Sequence, residues 1–331
     1  MALLSCLFVA AAIVLSPATA EESVLRPPPP KHAQGLSLPS ASSALPRRVR
    51  FIVTDIDGTL VGKDGLLPAD NVEAFRLAHS LGIQVAVATG RPRTSVIELL
   101  GEDTMKEMGF SGSPGIYLNG AYVVGPGGEV LRDSPIGKDT LKHTLSVIEE
   151  EGLLQGAVGV TEGPLIWYHD VSAPLALTSR VHKVHVEGEP EAVARVRHRL
   201  ETELGDSIGF AQSHPGAFEV LQPGLDKGEA LRLLYTVLGV SPEEVLALGN
   251  ADNDVPMFEV AGTAVVVGDG YATAKAAADL VTVPSTQGAL WHVLLHIKAG
   301  NGYCDVPAHG RGTREHLPNS DRQHGEQTVY L

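Results

Sequence analysis

The chain has 331 residues, 44% of them hydrophobic and 5% aromatic, with 25 Lys+Arg against 39 Asp+Glu for a formal charge of −14. It is too apolar and too long for a disordered tail, and long enough for one large α/β domain or two smaller ones. An acidic chain is a poor duplex-DNA binder, because phosphate affinity depends on clustered Lys and Arg, so no nucleic-acid partner is expected.

The charge is uneven. Residues 1–50 hold Arg26, Lys31, Arg47, Arg48 and Arg50 against Glu21 and Glu22, a balance of +3, and the other 281 residues carry −17. Residues 2–16 form an apolar run of signal-peptide length, and Ala18-Thr19-Ala20 fits a small-residue cleavage site. A membrane span needs about 20 apolar residues and Pro17 ends this run early. Residues 1–20 therefore read as a signal-like leader, with a retained anchor or a buried helix as the alternatives, and no membrane attachment is expected once the leader is removed. Residues 21–49 are rich in Pro, Ser and Arg, as in a linker or a transit peptide. The two in succession resemble a two-part plastid leader, so a plastid is the expected destination and a secreted or endomembrane lumen the alternative. Of the two cysteines, Cys6 lies in the leader, which leaves Cys304 with no intramolecular disulfide partner. The chain also lacks an Asn-x-Ser/Thr site.

The body, residues 51–298, alternates β-branched runs with amphipathic helical segments. A buried strand is expected at Arg50–Ile56, a helix at Asn71–Ser80 ended by Gly82, a strand at Ile83–Ala88, a helix at Arg93–Leu100 and a short strand at Gly115–Leu118. The pattern resumes with helix Glu229–Leu238, strand Val245–Leu248, helix Val255–Val260, strand Ala264–Val267, helix Ala272–Ala278, strand Leu280–Val283 and helix Gly288–His296. Such alternation implies a parallel sheet covered on both faces. Between the halves, strand-like runs at 129–131, 157–160, 165–169, 183–186, 207–211 and 217–221 surround helices at 139–151 and 191–204. Short turns between neighbouring strands imply an antiparallel sheet with helices on one face. The expected organisation is an α/β core of 50–127 and 222–298, an α+β insert of 128–221, and a disordered tail of 299–331.

Four polar pieces stand at strand ends or helix starts. The strand Phe51-Ile-Val-Thr54 runs into Asp55-Ile-Asp57-Gly58-Thr59. Strand carboxyl ends line the ligand crevice of an open parallel sheet. Two aspartates so close repel, and a bound cation relieves that repulsion. One can attack phosphorus while the other passes a proton to the leaving oxygen. At Ala88-Thr89-Gly90-Arg91 a hydroxyl and a backbone N–H could hold a phosphate oxygen, though Thr89 also suits a plain helix N-cap. Lys227 precedes a helix, where a cation opposes the macrodipole unless it serves an anion. Gly249-Asn250-Ala251-Asp252-Asn253-Asp254 is a polar cluster after a third strand.

In this order and spacing, DIDGT, ATGR, DKG and GNADND resemble the four motifs of the haloacid dehalogenase (HAD) superfamily, in its Cof-type sugar-phosphatase branch. Leu118-Asn119-Gly120-Ala121, Phe218-Glu219-Val220 and Val267-Gly268-Asp269 agree with it. The resemblance implies a Rossmann-like core with an inserted C2-type cap, and Mg²⁺-dependent hydrolysis of a small phosphorylated metabolite through an aspartyl-phosphate. It would make Asp55 nucleophile and metal ligand, and Asp57 acid/base and metal ligand. Thr89, Gly90 and Arg91 would hold the phosphoryl group with Asn253, Lys227 would neutralise nucleophile and phosphate, and Asp254 would orient Lys227 or metal-bound water. Asn250 replaces the usual metal-binding aspartate, so Mg²⁺ should bind more weakly. A phosphomutase of the same superfamily, or a ligand-binding protein weakened by Asn250, are the alternatives. In the cap, Trp167, Tyr168 and His169 are candidates for stacking a ring, and more ordinarily for packing.

Overall fold

The structure is a computed structural model that describes residues 48–300 apart from 154–156, 161–165, 168–178 and 213–215. The leader, the linker as far as residue 47, the tail beyond residue 300, and Tyr168 and His169 lie outside the described residues.

The chain starts its core in the middle of the sheet. β1 (Phe51–Thr54) is buried at every position and pairs in parallel with β2 (Gln84–Ala88) on one side and β11 (Val245–Gly249) on the other. Further out lie β12 (Thr263–Val266) and β13 (Leu280–Val281), and on the far side β3 (Gly115–Tyr117), β4 (Tyr122–Val124) and β5 (Val130–Asp133). The order is β13-β12-β11-β1-β2-β3-β4-β5. Period-two alternation divides the strands between two apolar clusters. Ile52, Val85, Val87, Leu246 and Leu248 pack with α1 (Ala69–Ser80) and α9 (Ala289–Gly300) through Phe75, Ala78, Val293 and Leu294. Phe51, Val53, Ala86, Val245 and Ala247 pack with α6 (Lys227–Val237) and α7 (Val255–Val260) through Leu231, Leu234, Met257 and Phe258. Each fully buried side chain of this size contributes roughly 1.5–3 kcal/mol, so the doubly covered sheet is the stable platform on which the strand-end loops sit.

The expected parallel α/β core is present, with one addition. β3-β4-β5 is antiparallel, and the strand read at 129–131 in the insert is the edge of the core sheet instead. Gly125-Pro-Gly-Gly128 closes a tight turn, with Gly125 N–H donating to the Glu129 carbonyl at 2.8 Å, and a turn this short leaves β5 beside β4. β4, three residues long, was not legible as a strand. Nor was α3 (Glu102–Met108) legible as a helix: only Met105 and Met108 are buried in it, and Gly101 and Gly109 bound it. α2 (Arg93–Leu100) falls where expected.

The insert forms its own antiparallel sheet, β7-β6-β8-β10-β9, from β6 (Ala157–Val160), β7 (Ile166–Trp167), β8 (Lys183–Glu187), β9 (Gly209–Ala211) and β10 (Ala217–Leu221). Val184, Val186, Phe218 and Val220 take one face and pack against Leu145, Ile148, Val196 and Leu200 of α4 (Lys138–Glu150) and α5 (Pro190–Leu204). Alternation turns Lys183, His185 and Glu219 to the other face, where Glu219 is paired in register with His185. Among the described residues no helix is long and apolar enough to cross a membrane.

Candidate active site

β1 ends at Thr54, two residues short of the strand expected through Ile56, so strand alternation does not set the directions of Asp55 and Asp57. The chain turns at Gly58 (φ 77°), and Gly58 N–H donates to the Val61 carbonyl at 2.8 Å. A side chain at residue 58 is excluded twice: the positive φ disfavours it, and its Cβ would stand 2.3 Å from Asn250 Nδ2. The two aspartates consequently meet different surroundings. Asp55 is 5% exposed, whereas the Asp57 side chain is 51% exposed.

Lys227 is fully buried, and its ammonium donates to Asp55 Oδ1 and Asp254 Oδ1, both at 2.7 Å. The local sequence explains its placement. Asp226 caps α6 by accepting from Glu229 N–H at 2.7 Å, so the helix begins at Lys227, two residues earlier than its apolar period indicated. Gly228 lets α6 approach the start of α7, since a Cβ there would lie 2.1 Å from the Pro256 carbonyl oxygen. The macrodipole argument against a lysine at a helix start is answered by its two carboxylate partners. Asp254 is held in turn: its Oδ2 accepts from Asn250 N–H at 2.7 Å and Ala251 N–H at 3.0 Å.

Burial pushes the Asp55 carboxyl up to about 7 against the pull of Lys227, with Asp254 and Asp57 adding to the rise. Burial also disfavours the Lys227 charge, but Asp254 and Asp55 outweigh it and hold the ammonium above the ordinary lysine range. The direction that governs the trio is the second one. A lysine between two carboxylates at 2.7 Å stays protonated, and it is the cation that keeps Asp55 from being neutralised outright.

Thr89 is 1% exposed, and its hydroxyl oxygen accepts from Arg91 N–H at 3.1 Å, a local turn rather than a helix cap; α2 starts at Arg93, after Pro92. Arg91 lies beside Asp57: Nε and Nη2 donate to the two Asp57 oxygens, both at 2.7 Å, a bidentate pair. Asn119, at φ 52°, brings the third core loop alongside, its N–H donating to the Thr89 carbonyl at 3.0 Å. Asn253 Nδ2 donates to Asn119 Oδ1 at 3.2 Å. The structure therefore gathers Asp55, Lys227 and Asp254 in one network and Asp57 with Arg91 in another, while Gly90 and Asn253 both approach Asn119.

A group without an assigned role in the sequence belongs here too. Glu219 of the insert is 7% exposed and accepts from Asn119 Nδ2 at 2.5 Å and from Lys183 Nζ. Burial would raise its carboxyl, but the Lys183 charge and then His185 bring it down to about 2. The only sequence signal for Lys183 is a charged residue in an apolar strand, sharing a face with His185. Because the folded-state value of Glu219 lies below the ordinary 4.5, its contribution to stability is complete above about pH 4.5 and is lost as pH falls towards 2. Denaturant titrations at pH 5 and pH 2.5 should show the unsubstituted protein losing about 2 kcal/mol more over that interval than Glu219→Gln. Equal losses would show that Glu219 is not ionised at pH 5.

A sequence profile of the haloacid dehalogenase-like hydrolases matches residues 52–294. The chain belongs to that family. It is 27% identical over 261 residues to the chloroplastic endoribonuclease YBEY of Arabidopsis thaliana, an alignment covering 72% of this chain and 44% of that protein. It is 27% identical over 265 residues to the HMP-PP phosphatase of Cronobacter sakazakii, covering 73% and 93%. Among solved structures, an HAD/COF-like hydrolase from Plasmodium vivax superposes with a TM-score of 0.69 at 25% identity, covering 76% of this chain and 96% of that one.

Proposed function

We propose that the protein hydrolyses small phosphomonoesters, sugar phosphates foremost, through an aspartyl-phosphate on Asp55. The observation that carries this reading is the buried ammonium of Lys227 held between Asp55 and Asp254 beside the Thr89–Gly90 loop. An Asp55 oxygen attacks phosphorus and the bond to the ester oxygen breaks, with the proton supplied to that oxygen by Asp57. Water then attacks the phosphoryl group, Asp57 takes its proton, and Asp55 is released. Lys227 offsets the charge that Asp55 and the phosphate bring together. Thr89 and the Gly90 N–H hold the phosphoryl oxygens, and Asn253 supports them. Arg91 fixes Asp57 through the bidentate pair rather than binding phosphate itself. The relative from Cronobacter, named for a small phosphorylated metabolite, is consistent with this substrate class.

The donor set suits Mg²⁺, a hard cation that takes oxygen ligands. Among the described residues no group of three or more His, Cys, Asp or Glu side chains is placed to hold a metal, in keeping with an amide at position 250. Asn250 is 6% exposed, and its side-chain amide lies against Gly58. Asp55, the Asp57 backbone carbonyl and Asn250 would hold Mg²⁺, and the ion would supply charge neutralisation at the phosphoryl oxygens. Asp254 is assigned to orienting Lys227 rather than to direct ligation, since both its oxygens already accept hydrogen bonds. Phosphate release from a panel of sugar phosphates should require Mg²⁺, and protein inert across the panel at high Mg²⁺ would refute the reading. Asn250→Asp should lower the Mg²⁺ concentration for half-maximal rate by about tenfold, because a charged oxygen replaces a neutral one. An unchanged titration would remove Asn250 from the ligand set.

A plastid destination is supported by the signal-like and transit-like composition of residues 1–49 and by the chloroplastic relative. A fluorescent reporter carrying those residues should enter plastids; secretion of the reporter would point to the alternative.

A further inference from the structure

Away from the crevice, α9 carries two histidines that the reaction does not use. Leu290, Val293, Leu294 and Ile297 of this helix turn to the sheet and are buried. His292 and His296 stand beside that apolar stripe, the first half-buried and the second exposed. Both lie within the helix Ala289–Gly300, where four residues advance about 6 Å along the axis and rotate about 40° beyond a full turn. The two imidazoles are therefore neighbours on one flank, one helical turn apart. Their closeness has an electrostatic consequence: partial burial, and then the charge of His292, hold the His296 ring below the ordinary histidine range. Two such rings repel as cations, and as neutral imidazoles each keeps a nitrogen lone pair for a ligand.

From this spacing we infer that His292 and His296 form a second metal site on α9, taken by a divalent ion of the zinc class with water in its remaining positions. Two histidines four apart on one helix face are the arrangement by which a single helix supplies two zinc ligands. Imidazole nitrogen suits Zn²⁺, Ni²⁺ and Cu²⁺, whereas Mg²⁺ takes oxygen, so this site and the one assigned to Mg²⁺ select different ions. The unfolded chain holds no such pair in place, and the ion therefore stabilises the folded state by bridging one turn of α9. That turn adjoins a contact with the core. The N–H groups of Leu290 and Trp291 donate to Asn71 Oδ1 at 3.1 and 3.4 Å, and Asn71 Nδ2 donates to the Leu60 carbonyl at 2.8 Å, in the loop that follows Asp55. The bridged turn begins one residue beyond these donors, so the ion braces the end of α9 that holds this loop. It takes no part in phosphoryl chemistry, and the inference stands independently of the phosphatase reading.

The test titrates ZnCl₂ into the full chain at neutral pH by calorimetry and follows Tm over the same concentrations. Saturating Mg²⁺ is present throughout to fill the oxygen site, and Cys304→Ser is the background, so that the thiol contributes no ligand. The background protein should bind Zn²⁺ and gain in Tm as the ion is added. His292→Gln and His296→Gln should each weaken that binding by at least about tenfold, since loss of a metal ligand costs no less than loss of a group that merely supports one. Each variant is compared with its own metal-free Tm, which removes any effect of the substitution on stability itself, and in both the rise on adding Zn²⁺ should disappear. Should His292→Gln fail to fold, the exposed position of His296 keeps the second variant readable. Absence of Zn²⁺ binding by the background protein would overturn the inference. So would Zn²⁺ affinity or Tm gain that survives in either variant, because the ion would then be held by other residues.

Discussion

Lys227→Met should destabilise the protein by about 3–5 kcal/mol at neutral pH, the effect of removing one partner from a buried charge network. Methionine fills much of the same volume, so the loss is electrostatic rather than a cavity effect. Asp55 Oδ1 and Asp254 Oδ1 each lie 2.7 Å from the ammonium, and without it two buried carboxylates face one another. Protonating one of them relieves the repulsion. Asp55 is the group to do so, since burial already lifts it to about 7. The variant should therefore recover part of its stability as pH is lowered from 8 to 6, which urea unfolding at the two values will show. A loss below about 1 kcal/mol, or one indifferent to pH, would mean that Lys227 is not the charge holding these carboxylates together. Turnover should disappear with the lysine, because the same ammonium offsets the charge of nucleophile and phosphate.

Asp55→Asn should separate chemistry from stability. The amide keeps the shape of the carboxylate but is no nucleophile, so phosphate release should fall by at least about 10⁴-fold, in the range seen when a covalent nucleophile is removed. Stability should change by less than about 1 kcal/mol. A buried group whose charge is disfavoured by desolvation becomes neutral, and Lys227 retains Asp254 as its partner. Rate and unfolding measurements on the same preparation check both halves. A residual rate within tenfold of the unsubstituted protein would place the nucleophile elsewhere, and a large loss of stability would show that Asp55 is mainly structural.

The contrast between these variants comes from burial, which has no direct sequence signature. Asp55 and Asp57 look equivalent in DIDGT, yet one is enclosed with Lys227 and the other is half exposed and clamped by Arg91. Arg91 adjoins Thr89 and Gly90 in sequence, yet its guanidinium pairs with Asp57, 34 residues away.

Hydrophobic period and turn chemistry determined a good deal without any coordinates. The alternation of Phe51, Val53 and Ile52 between two apolar clusters, the crossover helices, and the change to hairpin-connected strands in the insert are local patterns, and each reappears in the sheet order. The four motifs stood at strand ends or helix starts for the same reason. Short elements escaped, because three residues of β4 or two buried methionines of α3 carry too little periodicity to register. What only the tertiary structure decided are the pairings across large separations. Lys227 meets Asp55 across 172 residues, and Asn119 meets Glu219 across 100. No local rule specifies these. They exist because strand carboxyl ends converge where the parallel sheet opens, and because the insert's polar face, left uncovered by its helices, lies against the Gly90 and Asn119 loops and buries its charges there.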